Sequence, residues 1–275
     1  MKKIIFLSIL LFLTNILFAQ SIHFSLQSGY NYAYAKEKTQ IYLPVTNGNY
    51  SEIEPFVFAN LSENTEGEEI IEAIPVSFAQ GFFYGANLGF MYKKTGFEIN
   101  AFYQKSQKYK ANYFNETNVE LQSTNLNLIP TFVYRNDTGK FAVISKLGII
   151  IANSEINTSF INSGENATIK ALQTGKIYFG AYLSVGAEYM IFNNLYISAY
   201  IDCSFLQYKP EKSILTEYTY QNSDQMPFIQ EDYKTTYFVD SRNIDNATDN
   251  NKRIKPYYNM SSIGFKIGIK YNVKL

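Results

Sequence analysis

Ser262-Ile263-Gly264-Phe265-Lys266-Ile267-Gly268-Ile269-Lys270-Tyr271-Asn272-Val273-Lys274-Leu275 alternates apolar and polar residues through to the C-terminus. Successive side chains of a β-strand point to opposite sides. Ile263, Phe265, Ile267, Ile269, Tyr271, Val273 and Leu275 therefore share one face, and Gly264, Lys266, Gly268, Lys270, Asn272 and Lys274 share the other. A strand of this kind suits a barrel whose apolar face meets lipid and whose lysines and glycines line a polar lumen.

The same alternation recurs upstream in seven stretches: Ile22 to Ala35, Gln80 to Tyr92, Phe97 to Tyr103, Thr124 to Tyr134, Phe141 to Ile151, Ile177 to Tyr189 and Leu195 to Phe205. Pro130 interrupts the fourth, since proline cannot donate to a sheet. Short turns at Lys93-Lys94, Asn136 to Gly139 and Asn193-Asn194 alternate with long connections at Lys36 to Ala79, Lys105 to Gln122, Asn153 to Gly175 and Tyr208 to Tyr257. The long ones read as exposed loops, the first of them acidic through Glu52, Glu54, Glu63, Glu66, Glu68, Glu69 and Glu72. This rhythm predicts an all-β, antiparallel up-and-down transmembrane barrel of eight strands, with long extracellular loops, short periplasmic turns and both termini on the periplasmic side. Ile214 to Tyr220 and Tyr233 to Val239 read as a projecting hairpin; if they joined the wall, the count would be ten.

Composition narrows the class. The chain has 275 residues, 46% of them hydrophobic, with a mean hydropathy of -0.17. Past the N-terminus no apolar run approaches the roughly 20 residues of a spanning helix. Twenty-four Tyr and 22 Phe with no Trp supply rings for interfacial girdles; an aromatic-rich secreted β domain is the alternative. Zero net charge gives no electrostatic case for nucleic acid. Cys203 is the only cysteine, which excludes an intrachain disulfide and a Cys-based zinc site.

Met1 to Ala19 carries Lys2 and Lys3, then the apolar core Ile4 to Leu13, then Phe18-Ala19-Gln20, the layout of a secretory signal peptide cleaved after Ala19. Residues 20–275 are then the mature barrel, destined for the outer membrane of a Gram-negative envelope.

An eight-stranded barrel has an interior that side chains just fill. Glu98, Lys146, Glu188, Asp202, Lys266 and Lys270 all fall on the inward rows and predict a polar network, extended by Asn100. Counting from the turns pairs Lys146 with Glu188 and Asp202 with Lys266. The network reads as a rigidifying plug, and an ion path is the alternative.

Little chemistry is visible. His23, the single histidine, is placed at the periplasmic rim as an interfacial residue, so a Ser or Thr nucleophile with a His base is poorly supported. Asp240, Asp245 and Asp249 do not follow the spacing of a calcium loop. The reading is therefore a monomeric barrel without enzymatic activity, cofactor or metal. A narrow porin or transporter is the alternative. Its partners would be outer-membrane lipid, the barrel insertion machinery and a protein at the external loops. Tyr218, Tyr220, Phe228, Tyr237 and Phe238 are the expected contact surface, and the row Phe265, Ile267, Ile269, Tyr271, Val273 and Leu275 is the expected insertion signal.

With its leader ending Phe18-Ala19-Gln20, the row Gly81-x-x-x-Gly85-x-x-x-Gly89 and the closing strand Gly264 to Tyr271, the chain resembles the PorT-like family of small outer-membrane barrels. In architecture it resembles the OmpA- and OmpX-like barrels. The resemblance implies an integral outer-membrane protein tied to secretion or surface assembly through partners. It marks no functional residue.

Overall fold

The computed structural model describes residues 20–240 and 252–275, apart from 35, 39, 48–49, 64–65, 67 and 115; of 37–57 and 232–233 it describes the backbone alone. The signal segment and most of the Asp/Asn-rich run after Asp240 lie outside the described residues.

Eight strands close on themselves: β1 (Ser21–Ala33), β2 (Gly81–Tyr92), β3 (Thr95–Ser106), β4 (Thr117–Thr138), β5 (Phe141–Asn162), β6 (Tyr178–Phe192), β7 (Leu195–Phe205) and β8 (Ser262–Lys274). Each pairs antiparallel with its sequence neighbour, and β8 pairs with β1 from Lys274 opposite Ser21 to Ser262 opposite Ala33. Closure satisfies every strand edge, which hydrocarbon requires because nothing in it can hydrogen-bond a bare amide. Two-residue turns join β2 to β3, β4 to β5 and β6 to β7, with left-handed backbone at Lys93, Gly139 and Asn194. At Pro130 the pairing with β5 lapses between Leu128–Ile151 and Thr131–Gly148 and resumes in the same register, so the interruption spans two residue pairs without a slip.

The outward rows are apolar and exposed: Phe24 and Leu26 on β1, Phe132 and Tyr134 on β4, Leu147 and Ile149 on β5, Ile197 and Ile201 on β7, Phe265 to Leu275 on β8. The inward rows are buried and largely polar, with His23, Ser25, Gln27, Asn87, Glu98, Asn100, Thr131, Lys146 and Lys266. Apolar outside and polar inside is the reverse of a water-soluble domain and is what a bilayer selects.

Three connections differ from the loops expected. β4 and β5 are each 22 residues long, so Thr117 to Gln122 and Asn153 to Asn162 continue the hairpin beyond the apolar band. Onto this extension pair Tyr109–Tyr113, Ala59–Glu63 and Glu69–Ala73 on one side, and Ala167–Thr174, Lys212–Tyr220, Thr235–Val239 and Lys252–Ile254 on the other. Lys212–Tyr220 and Thr235–Val239 thus stand above the barrel and do not enter its wall, which leaves the count at eight and removes the ten-strand alternative. Nor is Lys36 to Ala79 simply exposed. Phe58, Val76, Phe78 and Ala79 are fully buried over the mouth of the barrel.

Candidate functional site

The lumen is organised around two buried carboxylates. Glu98, on β3, takes Lys146 Nζ from β5 at 2.5 Å on one oxygen and lies 2.8 Å from His23 Nε2 on the other. An ionised carboxylate can only accept, so Nε2 carries the ring hydrogen in this pair. Gly89 on β2 makes the approach possible: a Cβ there would lie 2.6 Å from His23 Nε2 and 2.5 Å from Glu98 Cγ. His23 is therefore a lumen residue, 1% exposed, and the interfacial placement at the rim is corrected. The sequence parity already put it on the inward face; its nearness to the chain start suggested a solvated rim.

Glu188, on β6, accepts from Arg135, from Tyr200 OH at 2.6 Å and from Lys270 Nζ at 3.0 Å. Arg135 also reaches Asp137 Oδ1 at 2.7 Å near the periplasmic end and lies over the Tyr196 ring. The expected Lys146–Glu188 pair does not form. In the register Lys146 faces Ser184 and Glu188 faces Ala142, because strands of a closed barrel are staggered and levels counted from turns do not carry across a long connection.

Asp202 and Lys266 do meet, at 2.9 Å, diagonally across β7 and β8. Lys266 is fully buried, also donates to Tyr182 OH at 2.5 Å, and lies within 5.3 Å of the Phe102, Tyr182 and Tyr200 ring centres. Tyr200 links the clusters, since Lys146 Nζ is 4.5 Å from the same ring; Gly186 beside it keeps that face clear, as a Cβ would lie 2.2 Å from Tyr200 Cδ1. Asn100 Nδ2 donates to Ile129 O and Thr131 Oγ1. Four cations thus face three carboxylates, with Asp137 supplying a fourth. Arg135, Tyr182 and Tyr200 went unread in the sequence, although Arg135 follows Thr131 and Val133 on the inward parity of β4.

Among the charges of this layer Met91, Val133, Ala142 and Ile144 pack with Tyr200. Towards the outside a cavity of about 40 Å³, room for only a few waters, lies among Asp202, Tyr182, Asn125, Phe83, Phe102, Ile150, Leu206 and Met260. Above it the cap closes. Phe78 O accepts from Ser123 Oγ at 3.0 Å, Ala79 O from Gln104 Nε2 at 2.5 Å, and Tyr109 OH donates to Ser77 O at 3.0 Å. Phe78 meets Tyr258 edge to face, Tyr258 stacks with Tyr208, and Tyr208 OH donates to Ser154 O at 2.9 Å. Outside the membrane segment, burial pushes the phenols of Tyr109 and Tyr208 up from their ordinary range.

Of the external aromatics singled out as a contact surface, Phe228, Tyr237 and Tyr220 are exposed, Tyr218 packs beside Ile169 and Leu215, and Phe238 is buried and drops out. Among the described residues no group of three or more His, Cys, Asp or Glu side chains could hold a metal ion.

No family model and no curated protein matches the chain. Among solved structures it is similar to Neisserial surface protein A, at 10% identity over 92% of this chain and 97% of that one, with a TM-score of 0.36. It is also similar to Ail, the attachment invasion locus protein of Yersinia pestis, at 7% identity over 93% and 99% with a TM-score of 0.33. A third is the outer membrane protease OmpT from Escherichia coli, at 8% identity over 92% and 96% with a TM-score of 0.30. Scores this low carry no functional argument. The barrel stands on its own strand pairing.

Proposed function

We propose that this chain is an integral outer-membrane barrel without enzymatic activity, closed to solutes and acting through its extracellular sheet as a partner-binding envelope component. The observation that supports the reading is the double closure: a paired charge network fills the lumen, and Phe58, Val76 and Phe78 cover its mouth. A buried network whose charges are paired rigidifies a narrow barrel, whereas a conducting one needs a continuous wet path. The resemblance to the PorT-like family supports a role in secretion or surface assembly, with partners meeting the exposed Tyr220, Phe228 and Tyr237. The porin alternative is tested directly. Purified, refolded protein in a planar bilayer is expected to give no stable conductance steps, and large persistent steps would overturn the closed reading.

Delivery would rest on the outward row of β8, where Phe265, Ile267, Ile269, Tyr271, Val273 and Leu275 are all about half exposed or more. This row is the signal we assign to the insertion machinery. Tyr271→Asp with Leu275→Asp is expected to leave the chain unfolded in the periplasm, and normal heat-modifiable migration of the membrane fraction would refute the assignment.

A further inference from the structure

We propose that the outer wall of the barrel carries a binding site for the phosphate-bearing headgroup of a membrane lipid, in the groove between the tops of β6 and β7 and the ribbon that rises from them. Gln207–Tyr208 pairs with Tyr258–Asn259 as a short two-stranded ribbon directly above the wall. Tyr208 and Tyr258 turn inward into the cap, so Gln207, Lys209, Tyr257 and Asn259 turn outward. Below them the outward rows end in Phe179 and Phe205. Between lies a groove of about 410 Å³ lined by Phe179, Phe205, Gln207, Tyr257, Asn259 and Ser261.

Three features fit one occupant. Phe179, Phe205 and Tyr257 are 68%, 51% and 52% exposed, an unfavourable display in water and the normal one for rings at a membrane interface. The floor is polar, with Gln207, Asn259 and Ser261, which suits a headgroup better than an acyl chain. Lys209 Nζ sits 4.3 Å from the centre of the Tyr257 ring, at the rim of the groove, and forms no ion pair among the described residues. Nearby Lys176 and Glu211 neutralise each other at 2.9 Å, so Lys209 supplies the uncompensated charge. A lysine on a flexible stem serves as a point-charge donor to phosphate.

The absence of Trp from the chain provides the test. Phe205→Trp puts a lone reporter in the groove, and Phe132→Trp puts one on the exposed wall of β4. Each protein is reconstituted in vesicles of phosphatidylcholine containing brominated phosphatidic acid or brominated phosphatidylcholine, and quenching gives the relative association of the two lipids. The groove reporter is expected to show a preference for the anionic lipid of about five-fold, the value of one lysine near a lipid phosphate; the wall reporter is expected to show a ratio of about one. Adding Lys209→Gln to Phe205→Trp is expected to bring the groove reporter to the wall value. Equal ratios at both reporters, or a preference unchanged by Lys209→Gln, would overturn the site. Inorganic phosphate at matched ionic strength is expected to leave the ratio in place, and displacement would overturn the lipid as source. Phe179→Trp serves as the reporter should Phe205→Trp fail to show heat-shifted migration. The site rests on the membrane reading, and the two fail differently: no quenching by either lipid at either position refutes membrane insertion, while equal quenching refutes the site alone.

Discussion

The lower and upper halves of β4 and β5 are one continuous hairpin built to opposite rules. In the lower half Phe132, Tyr134, Val143, Leu147 and Ile149 face out while Thr131, Arg135 and Lys146 face in. In the upper half Asn118, Glu120, Asn153, Glu155 and Asn157 face out or lie partly exposed, while Val119, Leu121 and Ile156 are fully buried. The register does not change across the boundary: Leu128 faces Ile151, Leu126 faces Asn153 and Thr124 faces Glu155. A single pleat therefore carries both patterns, and the surrounding solvent decides which face is apolar. Lipid selects the first and water the second.

The largest expected effect breaks the lower half from within. Glu188→Gln leaves Arg135 and Lys270 facing each other without their shared carboxylate, and removing one partner of a buried ion pair costs about 3–5 kcal/mol. Urea titration followed by the loss of heat-modifiable migration measures it, and a cost under about 1 kcal/mol would mean that water compensates the cations and the network is not closed.

The next test sets the two outer faces against each other on one strand. Leu147→Arg, in the middle of the apolar band, is expected to cost about 2–4 kcal/mol. Asn157→Arg, on the same face of β5 in the extension, is expected to stay within about 0.5 kcal/mol. Equal costs would erase the proposed boundary between Ile151 and Asn153.

The smallest effect concerns the cap. Burial holds the phenols of Tyr109 and Tyr208 above their ordinary value of about 10. The opened cap would release those protons first, so stability is intact below that value and falls as pH rises above it. Protease nicking between Lys36 and Gln80 should therefore increase from about pH 10 upward while the barrel keeps its heat-shifted migration, and Tyr109→Phe should move the onset higher. Simultaneous loss of barrel and cap would show that they are a single cooperative unit.

The lower barrel was legible because its outward rows are long and apolar, from Ile22 through Leu275. The extension was not, although its alternation is as regular. Val119, Leu121 and Ile156 continue the period of two, but with the sense reversed, so a search for an outward apolar row reads Lys105 to Gln122 and Asn153 to Gly175 as loops. Inward membership of Glu98, Lys146, Glu188, Asp202, Lys266 and Lys270 followed from parity alone. Their partners did not, since pairing depends on stagger between strands that only the closed sheet fixes. The exchange of Lys146 from Glu188 to Glu98 is the instance. Phe78 and Tyr258 carry no local signal of their role, because two distant connections meet only over the finished mouth.

The barrel wall has no beginning or end, but the sheet standing on it has both. Among the described residues its outermost strands are Glu69–Ala73, with Glu69 and Glu72, and Lys252–Ile254, with Lys252 and Arg253. Like charges set opposite each other across paired strands repel. A copy pairing edge to edge with Glu69–Ala73 in the register that sets Glu69 against Glu72 meets that repulsion, so the unclosed sheet carries at this margin the kind of charge that open strand edges use against self-pairing.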